Sequence, residues 1–160
     1  MKLFEKILNL AKKEIGVEEI DGTNCGVRVN EYKSATSLDP KESWPWCAAF
    51  ICWLFRESMK NNKYTFARPT TAGAWNFENW CLKQDRSVLL KKPHNNNITA
   101  GDIVIFKFSH IGIAISCPDE NGYINTIEGN TDGEGSREGG AVLQKRRKVS
   151  SIRSVIKITV

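Results

Sequence analysis

Histidine is nearly missing from this sequence: its 160 residues contain two, His94 and His110. A His-rich metal centre is excluded, and any imidazole chemistry has to run through one of these two positions. Five cysteines are present (25, 47, 52, 81 and 117), but none stands at CxxC spacing, and neither histidine has a cysteine close enough for a zinc-finger half. Their odd number leaves at least one thiol unpaired. That fits a reduced protein with one special cysteine better than a disulfide framework. No uncharged apolar run approaches membrane-spanning length, so no membrane span is expected. Low-complexity tracts, repeats and interdomain linkers are also lacking, and residues 1–160 read as one domain able to bury a core without staples. There is no helix-turn-helix signal, zinc-finger spacing or aromatic ribonucleoprotein motif, so no nucleic-acid partner is expected.

What is present is ordered: helical periodicity first, strand periodicity after. Leu3, Ile7, Leu8, Ala11 and Ile15 recur at helical spacing and predict a helix over 2–15 stopped by Gly16. The charges inside it (Glu5, Lys6, Lys12, Lys13, Glu14) mark it as an amphipathic helix of the fold, with no Sec-type export signal. Further helices are expected over 27–33, 46–61 and 72–83. From Asp102 onward the period shortens, and strands are predicted over 102–108, 111–116, 123–127, 141–149 and 154–160, with a Gly-rich loop over 129–140. Helices followed by strands on short connections imply an α+β domain, with the helices packed on an antiparallel sheet. The net charge is +5, and its densest piece is Lys145-Arg146-Arg147-Lys148. This run reads as a solvated strand end, with attraction to a polyanion as the alternative.

The chemistry centres on Trp44-Pro45-Trp46-Cys47-Ala48-Ala49-Phe50-Ile51-Cys52. Pro45 favours a helix start, which places Cys47 in the first turn, where unpaired N–H groups and the helix dipole favour a thiolate. Ala48 and Ala49 leave room for a substrate carbonyl. Cys52, five residues on and turned about 140° from Cys47, sits among Trp53 and Phe55 and reads as packing. A cysteine hydrolase also needs an imidazole to pair with the thiol and a polar group to orient that imidazole. His94, in Pro93-His94-Asn95-Asn96-Asn97, reads as an exposed loop residue. His110, in Ser109-His110-Ile111-Gly112-Ile113, opens a strand, and Gly112 marks a place where something else approaches closely. Glu128 and Asn130 lie at the end of the next strand. Antiparallel pairing brings them near His110, so that Glu128 can accept the second ring N–H and Asn130 can orient the ring or donate to an oxyanion.

Four motifs in order carry a resemblance: Pro45-Trp46-Cys47-Ala48-Ala49-Phe50, Gly101-Asp102-Ile103-Val104-Ile105-Phe106, Ser109-His110-Ile111-Gly112-Ile113 and Ile127-Glu128-Gly129-Asn130. Together they resemble the CHAP family of cysteine, histidine-dependent amidohydrolases/peptidases, relatives of the NlpC-type cell-wall peptidases. The resemblance implies a papain-like fold and hydrolysis of amide bonds in peptidoglycan, by an amidase or an endopeptidase. It assigns Cys47 as nucleophile, His110 as base and then acid, Glu128 as the group orienting His110, and Asn130 as an auxiliary polar residue. Trp44 and Trp46 are expected to wall the cleft, and Trp75 to lie against substrate. The loop with Glu18, Glu19 and Asp21 lacks a calcium-ligand register, so neither a metal nor another cofactor is expected.

The expected partner is peptidoglycan or its peptide fragments, met by a monomer that acts at the bacterial cell wall after release by a non-Sec route. Two other readings remain open. One is a glycan-binding module without turnover, using Trp75 to Trp80 as a groove; the other is a cysteine hydrolase of a different amide. The choice of thiol is directly testable. Cys47→Ser is expected to spare the fold and abolish turnover, whereas Cys52→Ala should cost mainly stability, as read by thermal unfolding beside an activity assay. A folded Cys52→Ala protein that is dead while Cys47→Ser is active would show that the wrong thiol had been chosen.

Overall fold

A computed structural model describes residues 1–133 and 139–160. Four helices come first: α1 (Leu3–Glu14), α2 (Val27–Lys33), α3 (Cys47–Met59) and α4 (Asn76–Leu82). Six strands follow: β1 (Val88–Lys91), β2 (Ile103–Phe106), β3 (Ile111–Ala114), β4 (Tyr123–Thr131), β5 (Ala141–Lys148) and β6 (Ile152–Ile158). They form one antiparallel sheet in the order β1-β6-β2-β3-β4-β5. The fold is α+β, as the order of periodicities implies.

Helix α3 is the centre of the molecule. Every residue from Cys47 to Phe55 is buried, because α1 and α2 cover one side while β3 and β4 lie against the other. A helix apolar all round is stable only when enclosed in this way. Tyr32 of α2 packs edge-on against Phe50 and Trp53, and its ring also lies 5.7 Å from Trp46. Its hydroxyl donates to the buried Glu14 of α1, which also accepts from Arg28. The first two helices are thus tied together by a carboxylate whose burial is compensated by two donors. Gly129 of β4 lets α3 come close, since a Cβ there would stand 2.9 Å from that of Phe50.

On β2, Ile103 and Ile105 join the main core, while Val104 and Phe106 join a second cluster on the opposite face with Ile124, Ile152 and Val155. This alternation is the period-2 pattern of a strand covered on both sides. On β4, Thr126 and Glu128 share the face of Ile124, opposite to Ile127.

Several boundaries differ from expectation. Ile15 does not join the buried stripe of α1 but stands 41% exposed, because the chain leaves the helix there before Gly16 turns at φ 97°. Residues 72–75 do not belong to α4. Thr71 Oγ1 accepts from the Gly73 N–H, a local turn that competes with helix. Strand β1 was not anticipated: its four residues carry too little alternation and are held by pairing with β6. Strand β4 runs beyond the predicted 127 through Glu128 to Thr131, with a bulge between those two residues. The Gly-rich loop expected over 129–140 is therefore strand at its start, and its positions 134–138 lie outside the described residues. No helix among the described residues is long and apolar enough to cross a membrane.

Candidate active site

Cys47 is the first residue of α3, so its first-turn N–H groups have no partners within the helix. The turn is held from the sheet side: the Trp46 N–H donates to Asn130 Oδ1 at 2.5 Å. Asn130 adopts φ 56° within the β4 bulge, a conformation asparagine tolerates better than most residues. Its Nδ2 donates to the Gly139 carbonyl. Both ends of this amide are engaged in backbone contacts, so Asn130 anchors the Cys47 turn and makes no hydrogen bond to the His110 ring.

His110 precedes β3 and is fully buried. The β2–β3 hairpin that presents it closes through Phe106 N–H to His110 O, with Ser109 in the left-handed region at φ 57°. Its Nε2 lies 2.9 Å from Glu128 Oε1. Its Nδ1 is buried with no hydrogen-bond partner. The ring stacks at low angle on Phe106 and Phe108. Burial disfavours the imidazolium, but interaction with the Cys47 thiol and the Glu128 carboxylate outweighs burial and pushes the pKa up to about 9. The Cys47 thiol is thus close enough to act on the ring.

Glu128 is also fully buried. Burial pushes its carboxyl up, yet hydrogen bonds and charge from Arg147 and His110 win and hold it down at about 2. Thr126 Oγ1 donates to Oε2 at 2.5 Å, and the Arg147 guanidinium forks onto both oxygens, Nε to Oε2 at 2.8 Å and Nη2 to Oε1 at 2.5 Å. Gly112 makes this possible, since a Cβ there would stand 2.7 Å from Glu128 Cγ. The close approach that a glycine in this strand implies is the catalytic candidate's own side chain.

In front of Cys47 lies a cavity of about 210 Å³, lined by Leu38, Trp44, Pro45, Ala72, Gly73, Ala74 and Ser109. It shares Leu38, Ala72 and Gly73 with a wider groove that reaches Thr70 and Asn76. Trp44 walls the cavity. Trp46 does not: it is fully buried, packed by Tyr32 and Gly129, and its Nε1 donates to Glu19 Oε2, because the residue that caps a buried helix turns into the core. Trp75 is 41% exposed beside Ala74 but outside the cavity lining, with its Nε1 on the Phe106 carbonyl and Arg153 over its ring. His94 is exposed in its loop. Cys52 donates to the Thr71 carbonyl, and burial pushes its thiol up to about 12. Thr126 and Arg147 also border the candidate site, and neither was singled out from the sequence; Ser109, quoted there only as part of the His110 motif, lines the cavity. For Arg147 the available signal was strand phase, which it shares with Leu143. Among the described residues no group of three or more His, Cys, Asp or Glu side chains is arranged to hold a metal.

The CHAP domain family model matches residues 39–130, more than half of the chain. This protein belongs to the CHAP family. The match runs from the loop before α3 to Asn130 and so includes Cys47, His110 and Glu128. No curated protein matches the chain in sequence. Among solved structures, the chain is similar in fold to the wild-type endolysin LysIME-EF1, at 15% identity and a TM-score of 0.57. The similarity covers 98% of this CHAP chain and 64% of the endolysin chain, so the present chain spans less than two thirds of that protein's length.

Two outcomes test this geometry. His110 is expected to titrate near pH 9 by NMR. A histidine whose folded pKa is raised contributes stability that is complete below about 6.5 and lost as pH rises through about 9. Gly112→Ala should push Glu128 off His110, lower that titration midpoint and cost about 1–3 kcal/mol of stability. An unmoved midpoint would show that Glu128 does not set it.

Proposed function

We propose that this CHAP domain is a cysteine hydrolase that cleaves amide bonds in peptidoglycan. The observation carrying this reading is the grouping of Cys47, His110 and an ionised Glu128 at the head of a cleft. Family membership supports it, as does a fold shared with a protein described as an endolysin.

The chemistry follows from the positions. A His110 pKa near 9 keeps the imidazole protonated at neutral pH beside the Cys47 sulfur, and a cysteine attacks carbonyls as its thiolate. The Cys47 sulfur adds to the amide carbon, and the carbonyl oxygen takes the negative charge beside the first-turn N–H groups of α3. Imidazolium donates its Nδ1 proton to the departing nitrogen as the C–N bond breaks, leaving a thioester. His110 then takes a proton from water, hydroxide displaces the sulfur, and acid and thiol are released. Glu128, accepting from Nε2, keeps Nδ1 on the reacting side throughout. The walls beside Cys47 carry no charged side chain, so they suit peptide backbone and small residues.

Purified peptidoglycan incubated with the protein is expected to release soluble fragments, and mass spectrometry of the new termini will distinguish amidase from endopeptidase products. Cys47→Ala should lower the rate by about 10³-fold or more. Release of the same fragments at the same rate by wild type and Cys47→Ala would sink the proposal.

A further inference from the structure

We propose that Arg147 is a positioning residue of this site, acting on His110 only through Glu128, which it keeps ionised and in place. For its catalytic meaning the inference rests on the hydrolase reading above. Arg147 lies on β5, beyond the residues matched by the family model, within a basic run that reads from sequence as a solvated strand end. The structure turns it inward. Its side chain is 14% exposed, and its guanidinium lies over Phe106 and Phe108 at about the same distance, 5.1 and 5.2 Å. These are the rings on which His110 stacks. One pair of aromatic side chains therefore aligns both cations that share the Glu128 carboxylate.

A wholly buried carboxylate is costly unless its oxygens are saturated by donors. Glu128 Oε2 accepts from Thr126 and Arg147, and Oε1 from Arg147 and His110. Among the described residues, the ionisable groups acting on Glu128 are His110 ahead of β3 and Arg147 of β5, with Cys47 of α3 acting on His110. Thr126 is neutral, and His110 carries its charge only while protonated. Among the described residues acting on Glu128, Arg147 alone supplies a permanent positive charge. Without it, burial would let Glu128 take up a proton in the mildly acidic range, and a protonated carboxyl no longer supports the imidazolium. A residue that merely packs would instead lower activity equally at every pH.

The measurements are the pH profile of kcat/KM on peptidoglycan fragments and the ¹³C titration of the Glu128 side-chain carboxyl. In Arg147→Met the Glu128 carboxyl is expected to titrate between about pH 5 and 6, where wild type stays ionised, and activity should fall about tenfold per pH unit below that midpoint. Arg147→Lys, which keeps the charge and loses the fork, should retain acid-side activity at a reduced overall rate. In a Glu128→Gln background, Arg147→Met should have no further effect on the profile. An equal loss at pH 5 and pH 8, or a full additional loss in the Glu128→Gln background, would overturn the inference. So would an unshifted Glu128 titration in a folded Arg147→Met protein, or loss of acid-side activity in a folded Arg147→Lys protein. If wild type proves inactive on peptidoglycan, the hydrolase reading fails, and the carboxyl titration still decides whether Arg147 governs Glu128.

Discussion

The arrangement of the site depends on keeping a negative charge at Glu128 in a place that water does not reach. A bare carboxylate there would be prohibitively unstable, so the surrounding elements are committed to supplying donors. β4 contributes Thr126, β5 contributes Arg147, and the chain entering β3 contributes His110. Each donor requires its strand to lie in register beside Glu128, and Gly112 is the position where a side chain would forbid this. Together with the Cys47 thiol, the same carboxylate raises the His110 pKa against the effect of burial. The Glu128–His110 contact therefore both compensates a buried charge and helps raise the imidazole pKa.

The Cys47 turn is secured by a second, separate linkage. Trp46 fills the core while its backbone N–H is taken by Asn130, so α3 begins at a point set by the sheet. Gly129, between Glu128 and Asn130, allows α3 to rest on β4. Three successive residues of one strand thus carry the partner of His110, the helix contact and the helix-start anchor. The bulge after Glu128 lets them point in the directions these tasks require. The two thiols of the helix diverge accordingly. Cys47 opens onto the cavity, whereas Cys52 lies in the core with its proton held firmly by burial.

Much of this was legible beforehand, and the reasons are local. Pro45 ahead of an apolar helix placed Cys47 in a first turn. Strand periodicity around His110 and Glu128 put both at strand ends that antiparallel pairing brings together. What escaped were features that depend on facing. Trp46 looked like a cleft wall because aromatics near a nucleophile often are, yet its indole turns into the core. Asn130 was a candidate for orienting the ring, and its amide engages backbone instead. Arg147 sat in a run of four cations with nothing local to single it out.

Residue type and spacing by themselves determined the order of helices and strands, the α+β class, and the few side chains able to act as nucleophile and base. These are consequences of short-range sterics, periodicity and functional-group chemistry. Only the tertiary structure decided which donors surround Glu128, which tryptophan meets the cavity and which arginine is buried. Those outcomes follow from strand neighbours and side-chain direction, and residues far apart in the chain settle them by competing for the same buried space.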